Sequence, residues 1–152
     1  MIELRQGTWV LVADGEKAMF LENLTDGEDP YLRVLRHEEQ ENPRHGEQTS
    51  DRPGRMPDAG VGQRSSMQEA DWHKLAKDRF ASEMADLLYR YAHMNAFSRI
   101  VLVAPSKVLG ALRDQLHKEV SQRVIAEVSK DMTNHPVNEV ERLLKTELAA
   151  RR

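Results

Sequence analysis

The chain has no cysteine among its 152 residues. That excludes disulfides, thiol catalysis and thiolate metal sites, and fits a reducing compartment. Aromatic residues are scarce, at 5%. They fall in periodic segments rather than among clustered basic residues, which argues against a base-stacking platform. No apolar run approaches the roughly 18 residues that a membrane span needs. The segment Met1–Gly7 lacks the basic-then-apolar pattern of a secretion signal. The cytoplasm is therefore the expected location, and no membrane partner is expected. The formal net charge of −3 carries no cationic excess, which argues against a general nucleic-acid-coating protein and against DNA as a partner. The six histidines, His37, His45, His73, His93, His117 and His135, show no close metal-ligand spacing. There is also no phosphate-binding loop, dinucleotide glycine pattern or Gly-x-Ser-x-Gly elbow. Neither a metal nor a cofactor is expected.

What is present is the composition of a folded domain, 39% hydrophobic and 31% charged. A chain of this length fits one domain with a proper core, and residues 1–152 are read as a single unit. Thr8–Ala13 is almost continuously apolar, as a strand buried on both faces must be. Asp14-Gly15 is a hairpin signal, and Lys17–Leu24 reads as the return strand. A second turn at Thr25–Pro30 leads to a half-polar third strand, Tyr31–Arg36, expected nearer an edge. A helix is expected from about Gln68 to Met94. Trp72, Leu75, Ala76, Phe80, Met84, Leu87, Leu88 and Tyr91 recur on one face of it at three- and four-residue steps. Ile100–Ala104 and Val124–Val128 read as two further buried strands. The helix between them, with Ser106 as its cap, would bury Val108, Leu109, Leu112 and Leu116, and would make those strands parallel. The last helix is expected to be capped by Thr133 or Asn134, with Pro136 in its first turn. Val140, Leu143, Leu144 and Leu148 give it a core face. The order βββαβαβα predicts an α/β domain with one mixed five-stranded sheet and helices on its faces.

One stretch has no periodicity at all. Residues 40–66 hold half of the eight glycines and half of the six prolines. Loops longer than about 12–15 residues are uncommon inside a compact domain and tend to carry function. Function is therefore expected there, and the remainder is read as scaffold.

Five sequence words occur in order along the chain: Trp9-Val10-Leu11-Val12-Ala13-Asp14-Gly15, Asp51-Arg52-Pro53-Gly54-Arg55, Leu102-Val103-Ala104-Pro105-Ser106, Leu109-Gly110-Ala111-Leu112-Arg113, and Lys130-Asp131-Met132-Thr133 followed by Pro136. In these the chain resembles the bacterial host attachment protein family over nearly its whole length. That family is in turn similar to the catalytic domain of archaeal and eukaryotic peptide-chain release factors. The resemblance implies a ribonuclease-H-like topology and a ribosome or tRNA partner, on which the protein would either hydrolyse the peptidyl-tRNA ester or only occlude the site. It also implies a Gly-Gly-Gln loop, between the third strand and the long helix, that promotes hydrolysis of peptidyl-tRNA. Here the same slot holds Val61-Gly62-Gln63. Gly62 and Gln63 match the second glycine and the glutamine, whereas Val61 departs from the first glycine. Counterparts of the release factors' codon-reading and partner-binding domains are not expected from these 152 residues. The name of the family also implies an alternative, a non-enzymatic regulatory role in attachment to host cells.

Gly62 and Gln63 are the candidate catalytic residues. A glycine lets the backbone approach a substrate closely, a backbone N–H can stabilise an oxyanion, and a glutamine amide can both donate to and accept from a water. The same residues also fit a plain connector that runs into the helix. Arg52, Arg55 and Arg64 are candidate RNA- or phosphate-binding residues, although four arginines in residues 40–66 meet four acids. Asp14, Ser106, Lys130 and Asp131 follow three strands expected to be parallel, and so form a candidate ligand edge. Turn and cap chemistry accounts for the same four residues and is the favoured account. A two-metal nuclease would need converging carboxylates. Asp14 and Glu83 could supply two, but Val103-Ala104-Pro105 offers none, so this reading is disfavoured.

Overall fold

The computed structural model describes residues 2–40 and 65–150, with side chains from Lys74 onward in the helix that opens the second stretch. Its strands are β1 (Trp9–Ala13), β2 (Lys17–Asn23), β3 (Leu32–Glu39), β4 (Ile100–Val103) and β5 (Val124–Val128). Its helices are α1 (Ser65–His93), α2 (Ser106–Gln115), α3 (Lys118–Ser121) and α4 (Val137–Ala149). The strands form one sheet in the order β3-β2-β1-β4-β5. β1–β2 and β2–β3 are antiparallel, while β1–β4 and β4–β5 are parallel. This is the mixed five-stranded α/β sheet that the sequence predicts.

β1 is central and buried at every position. Because successive side chains point to opposite faces of a strand, its apolar run serves two cores. Trp9, Leu11 and Ala13 pack with Phe20, with Phe80, Met84 and Leu88 of α1, and with Leu109 and Leu112 of α2. Val10 and Val12 pack on the other face with Leu21, Val101, Val103 and Val128, and with Val140, Leu144 and Leu148 of α4. Covered on both faces, β1 has no position left for a polar residue. Among the described residues, no helix is long and apolar enough to cross a membrane.

The boundaries differ from the expected ones in ways that have physical causes. β3 lies at the sheet edge as expected, but runs to Glu39 rather than Arg36. Arg36, His37, Glu38 and Glu39 continue the ladder opposite Phe20, Met19, Ala18 and Lys17. Their polarity hid the strand, because an edge strand can expose much of its surface. The register shifts at Phe20/Leu21, leaving Leu35 as the extra, exposed residue of a bulge.

α1 begins at Ser65, three residues earlier than expected. Its 29 residues span about 43 Å, more than twice the length of β1. Burial among its described side chains begins at Phe80. Leu75, read as a core residue, is therefore exposed (58%). The end of α1 is fixed by Asn95, which adopts a left-handed conformation (φ 59°), while Ala96 N–H donates back to Tyr91 O at 2.9 Å.

The expected caps are not used. α2 is preceded by Pro105 and α4 by Pro136, neither of which makes a side-chain cap bond. Ser106 and Thr133 instead spend their hydroxyls on long-range contacts. α3 was not foreseen. It is a single turn whose first free N–H, that of Glu119, donates to His117 Nδ1 at 3.0 Å.

Candidate functional site

The parallel arrangement of β1, β4 and β5 brings Asp14, Ser106 and Asp131 to the same edge of the sheet. β3 ends there too, since it runs alongside β1 with β2 between them. Around these residues a hydrogen-bonded network closes. Asp14 Oδ1 accepts from the backbone N–H groups of Glu16 (2.7 Å) and Lys17 (2.8 Å). Asp14 Oδ2 and Asp131 Oδ1 both face Thr133 Oγ1, at 3.0 and 2.7 Å. A hydroxyl has one hydrogen to donate, so the two carboxylates share it. Asp131 Oδ1 also accepts from Thr133 N–H at 3.0 Å. Lys17 Nζ donates to Asn134 Oδ1 at 2.9 Å.

The expected hairpin at Asp14-Gly15 is present, but a left-handed glycine does not make it. The Asp14 carboxylate holds the turn, and Gly15 has no positive φ. A Cβ at Gly15 would lie 2.9 Å from Lys77 Cγ, so a larger residue there requires the exposed Lys77 side chain to shift.

The other candidates of this edge separate. Ser106 Oγ meets Ser129 Oγ at 2.6 Å, tying the ends of β4 and β5 together. Lys130 turns toward α4 and pairs with Glu147 at 2.7 Å, so it does not join Asp14 and Asp131. Among the described residues, no group of three or more His, Asp or Glu side chains is placed to hold a metal ion. Asp14 and Asp131 thus stitch the loop after β5 onto the β1–β2 hairpin. We expect Asp14→Ala to destabilise the protein by about 1–2 kcal/mol, because three hydrogen bonds are lost at a part-buried position. Asp14→Asn keeps an acceptor for both turn N–H groups and should cost less than half as much. Urea denaturation of the two variants tests the order, and equal losses would contradict the turn-holding role.

Sequence reasoning missed Thr133 as a member of this network and Ser129 as the partner of Ser106. Thr133 was read only as a helix cap. The available signal was a hydroxyl two residues after Asp131, the spacing at which an Asp side chain bonds the backbone N–H. A pocket of about 220 Å³ opens beside Thr133, lined by Val12, Lys17, Met19, His37 and Glu39 among others.

The same edge anchors the chain just before the residues expected to carry function. Gln40 N–H donates to Glu16 O at 2.7 Å, and its side-chain Nε2 donates to Ala76 O of α1 at 2.9 Å. Nearby, Arg36 bonds Glu38 and donates to Tyr91 Oη at 2.8 Å. The Glu38 carboxylate, and then the Tyr91 hydroxyl, hold its guanidinium still more firmly in the charged form. Gly62, Gln63, Arg52, Arg55 and Arg64 lie outside the described residues.

No curated protein matches this sequence. Among solved structures, the archaeal translation termination factor aRF1 is similar over 93% of this chain, at 10% identity and a TM-score of 0.47. The match covers 36% of that protein, so the chain spans about a third of its length. The family model that matches bears out the release-factor side of the resemblance and lends no support to the host-attachment name. It covers residues 7–144, from the turn before β1 into the third turn of α4. By that match, the chain belongs to the bacterial archaeo-eukaryotic release factor family 12.

Proposed function

We propose that the protein is a ribosome- or tRNA-associated factor of the release-factor catalytic-domain type, acting in the cytoplasm. The observation that supports this is family membership across residues 7–144. With it goes an element order in which residues 41–64 join β3 to the long helix α1. The resemblance gives Gly62 and Gln63 the catalytic part. The Gln63 amide would orient a water against the ester between a nascent peptide and its tRNA. The water oxygen adds to the carbonyl carbon and a backbone N–H holds the oxyanion. The bond to the ribose then breaks, and a proton from the water passes to the departing hydroxyl. Arg52, Arg55 and Arg64 would hold RNA phosphates through bidentate bonds. Val61 stands where release factors have a glycine, and a β-branched residue resists positive φ. The reading therefore commits first to binding and second to hydrolysis.

The test is to incubate the purified protein with ribosomes stalled on labelled peptidyl-tRNA, then measure sedimentation and peptide release. The wild type should co-sediment and release peptide. Gln63→Ala should still co-sediment, with release slowed by about 10²-fold, the scale of losing one group that acts on the reacting centre. Absence of both co-sedimentation and release from the wild type would end this reading.

A further inference from the structure

α1 and α2 lie against the same face of the sheet and leave an open groove of about 620 Å³ between them. Three lysines line it, Lys74 and Lys77 from α1 and Lys107 from the first turn of α2. Lys74 is paired with Asp78 at 3.3 Å. Lys77 and Lys107 have no acidic partner among the described residues. The stem of Lys77 is seated over Gly15, which starts its side chain from the edge of the sheet where β1 ends. The remaining acid of the groove, Asp114, sits seven residues beyond Lys107, about 10 Å along α2. Among the described residues, positive charge without an acidic partner therefore gathers at the amino end of α2, where the first turn contains no acidic residue.

Gly110 is an independent observation in the same groove. It lies in the middle of α2, where glycine is less stable than alanine. Its backbone has no positive φ, and a Cβ there would meet nothing within 4 Å. Neither conformation nor packing among the described residues calls for glycine. A glycine there leaves the groove floor open to close approach. That floor is small and apolar, with Val108, Gly110 and Ala111, and among the described residues its lining includes no aromatic ring.

We infer that this groove docks the sugar–phosphate backbone of RNA. Ammonium groups without an acidic partner among the described residues, set over a small apolar floor, suit the phosphates that position a nucleic acid. The inference rests on the ribosome-associated reading, which favours RNA over an acidic peptide. The test is fluorescence anisotropy of the full chain with labelled single-stranded oligouridylate across a salt series. Lys77→Gln/Lys107→Gln should reduce the slope of log affinity against log salt by about 1.4, because each single-strand phosphate contact contributes about 0.7. Lys118→Gln/Lys145→Gln, on other surfaces, should leave it unchanged. Gly110→Ala should raise Tm by about 2 °C while weakening RNA binding. An unchanged slope in the groove variant, an equal loss in the control variant, or displacement of RNA by polyglutamate as readily as by polyuridylate would overturn the inference. A groove variant that keeps the wild-type salt slope and still sediments with ribosomes would overturn the groove alone. A wild type that binds oligouridylate through the groove but neither sediments with ribosomes nor releases peptide would overturn the function alone.

Discussion

Phe20→Ala is expected to cost about 4 kcal/mol of stability, the scale of removing a fully buried aromatic ring. Phe20 is fully buried in β2, opposite Leu11 of the central strand. Its ring meets Trp9 edge-on, with centroids 6.4 Å apart, and Tyr91 at 5.9 Å. Trp9 and Tyr91 are themselves 5.0 Å apart. The three rings thus join β1, β2 and α1, and Tyr91 carries the link outward to Arg36 on β3. Deleting the Phe20 ring leaves a cavity between two rigid strands and a helix, where little can move in to fill it. For a domain of this size the loss corresponds to a Tm decrease of about 12 °C. Phe20→Leu, which keeps most of the volume, should cost less than half as much. A calorimetric decrease of only a few degrees for Phe20→Ala would mean that α1 does not close over this face as described.

The order of the elements along the chain and the strands buried on both faces were legible because burial leaves a strong periodic mark. β1 and β4 could be found from unbroken apolar runs, since helices cover both faces of the sheet there. The core face of α1 could be found from Phe80, Met84 and Leu88 for the same reason. Where one partner is water, the mark weakens. β3 looked three residues short because its last residues are charged, and Leu75 looked buried because periodicity does not say where a long helix overhangs its sheet. The candidate site was legible as a place more than as chemistry. Parallel strands bring Asp14 and Asp131 to one edge, and that much follows from topology. That Lys130 leaves for Glu147 depends on the path of α4. That Thr133 is shared by two carboxylates depends on two loops meeting. Neither contact has a local sequence signature.

Asn23 is the clearest case of a residue with no such signature and a large expected effect. In the sequence it is only one residue of a return strand, yet its side chain is completely buried. Its Nδ2 donates to Leu4 O at 2.6 Å and to Asp26 O at 3.0 Å. Its Oδ1 accepts from Tyr31 N–H at 2.8 Å. One amide thereby fastens the lead-in to β1, the β2–β3 loop and the start of β3. Asn23→Ala would strand these backbone groups without partners and is expected to cost about 3 kcal/mol. Asn23→Asp separates the hydrogen-bond account from simple packing, since the two side chains have the same shape. The aspartate can still accept from Tyr31 N–H, but its second oxygen would face two carbonyl oxygens. Burial and those two dipoles disfavour the ionised form, so the folded-state pKa of the introduced acid must rise above its unfolded value of about 3.9. Between those two pKa values the folded state binds more protons than the unfolded one, so stability falls as pH increases. At pH 4 the variant should lie about 1–2 kcal/mol below the wild type, because the folded carboxyl keeps its proton but has one hydrogen for the two carbonyls, Leu4 O and Asp26 O, that the amide served. Each further pH unit, up to the folded pKa, should remove about 1.4 kcal/mol relative to the wild type. Urea denaturation of both proteins across pH 4–8 measures this difference, and a gap that stays constant with pH would show that the amide's hydrogen bonds are not what holds these three segments together.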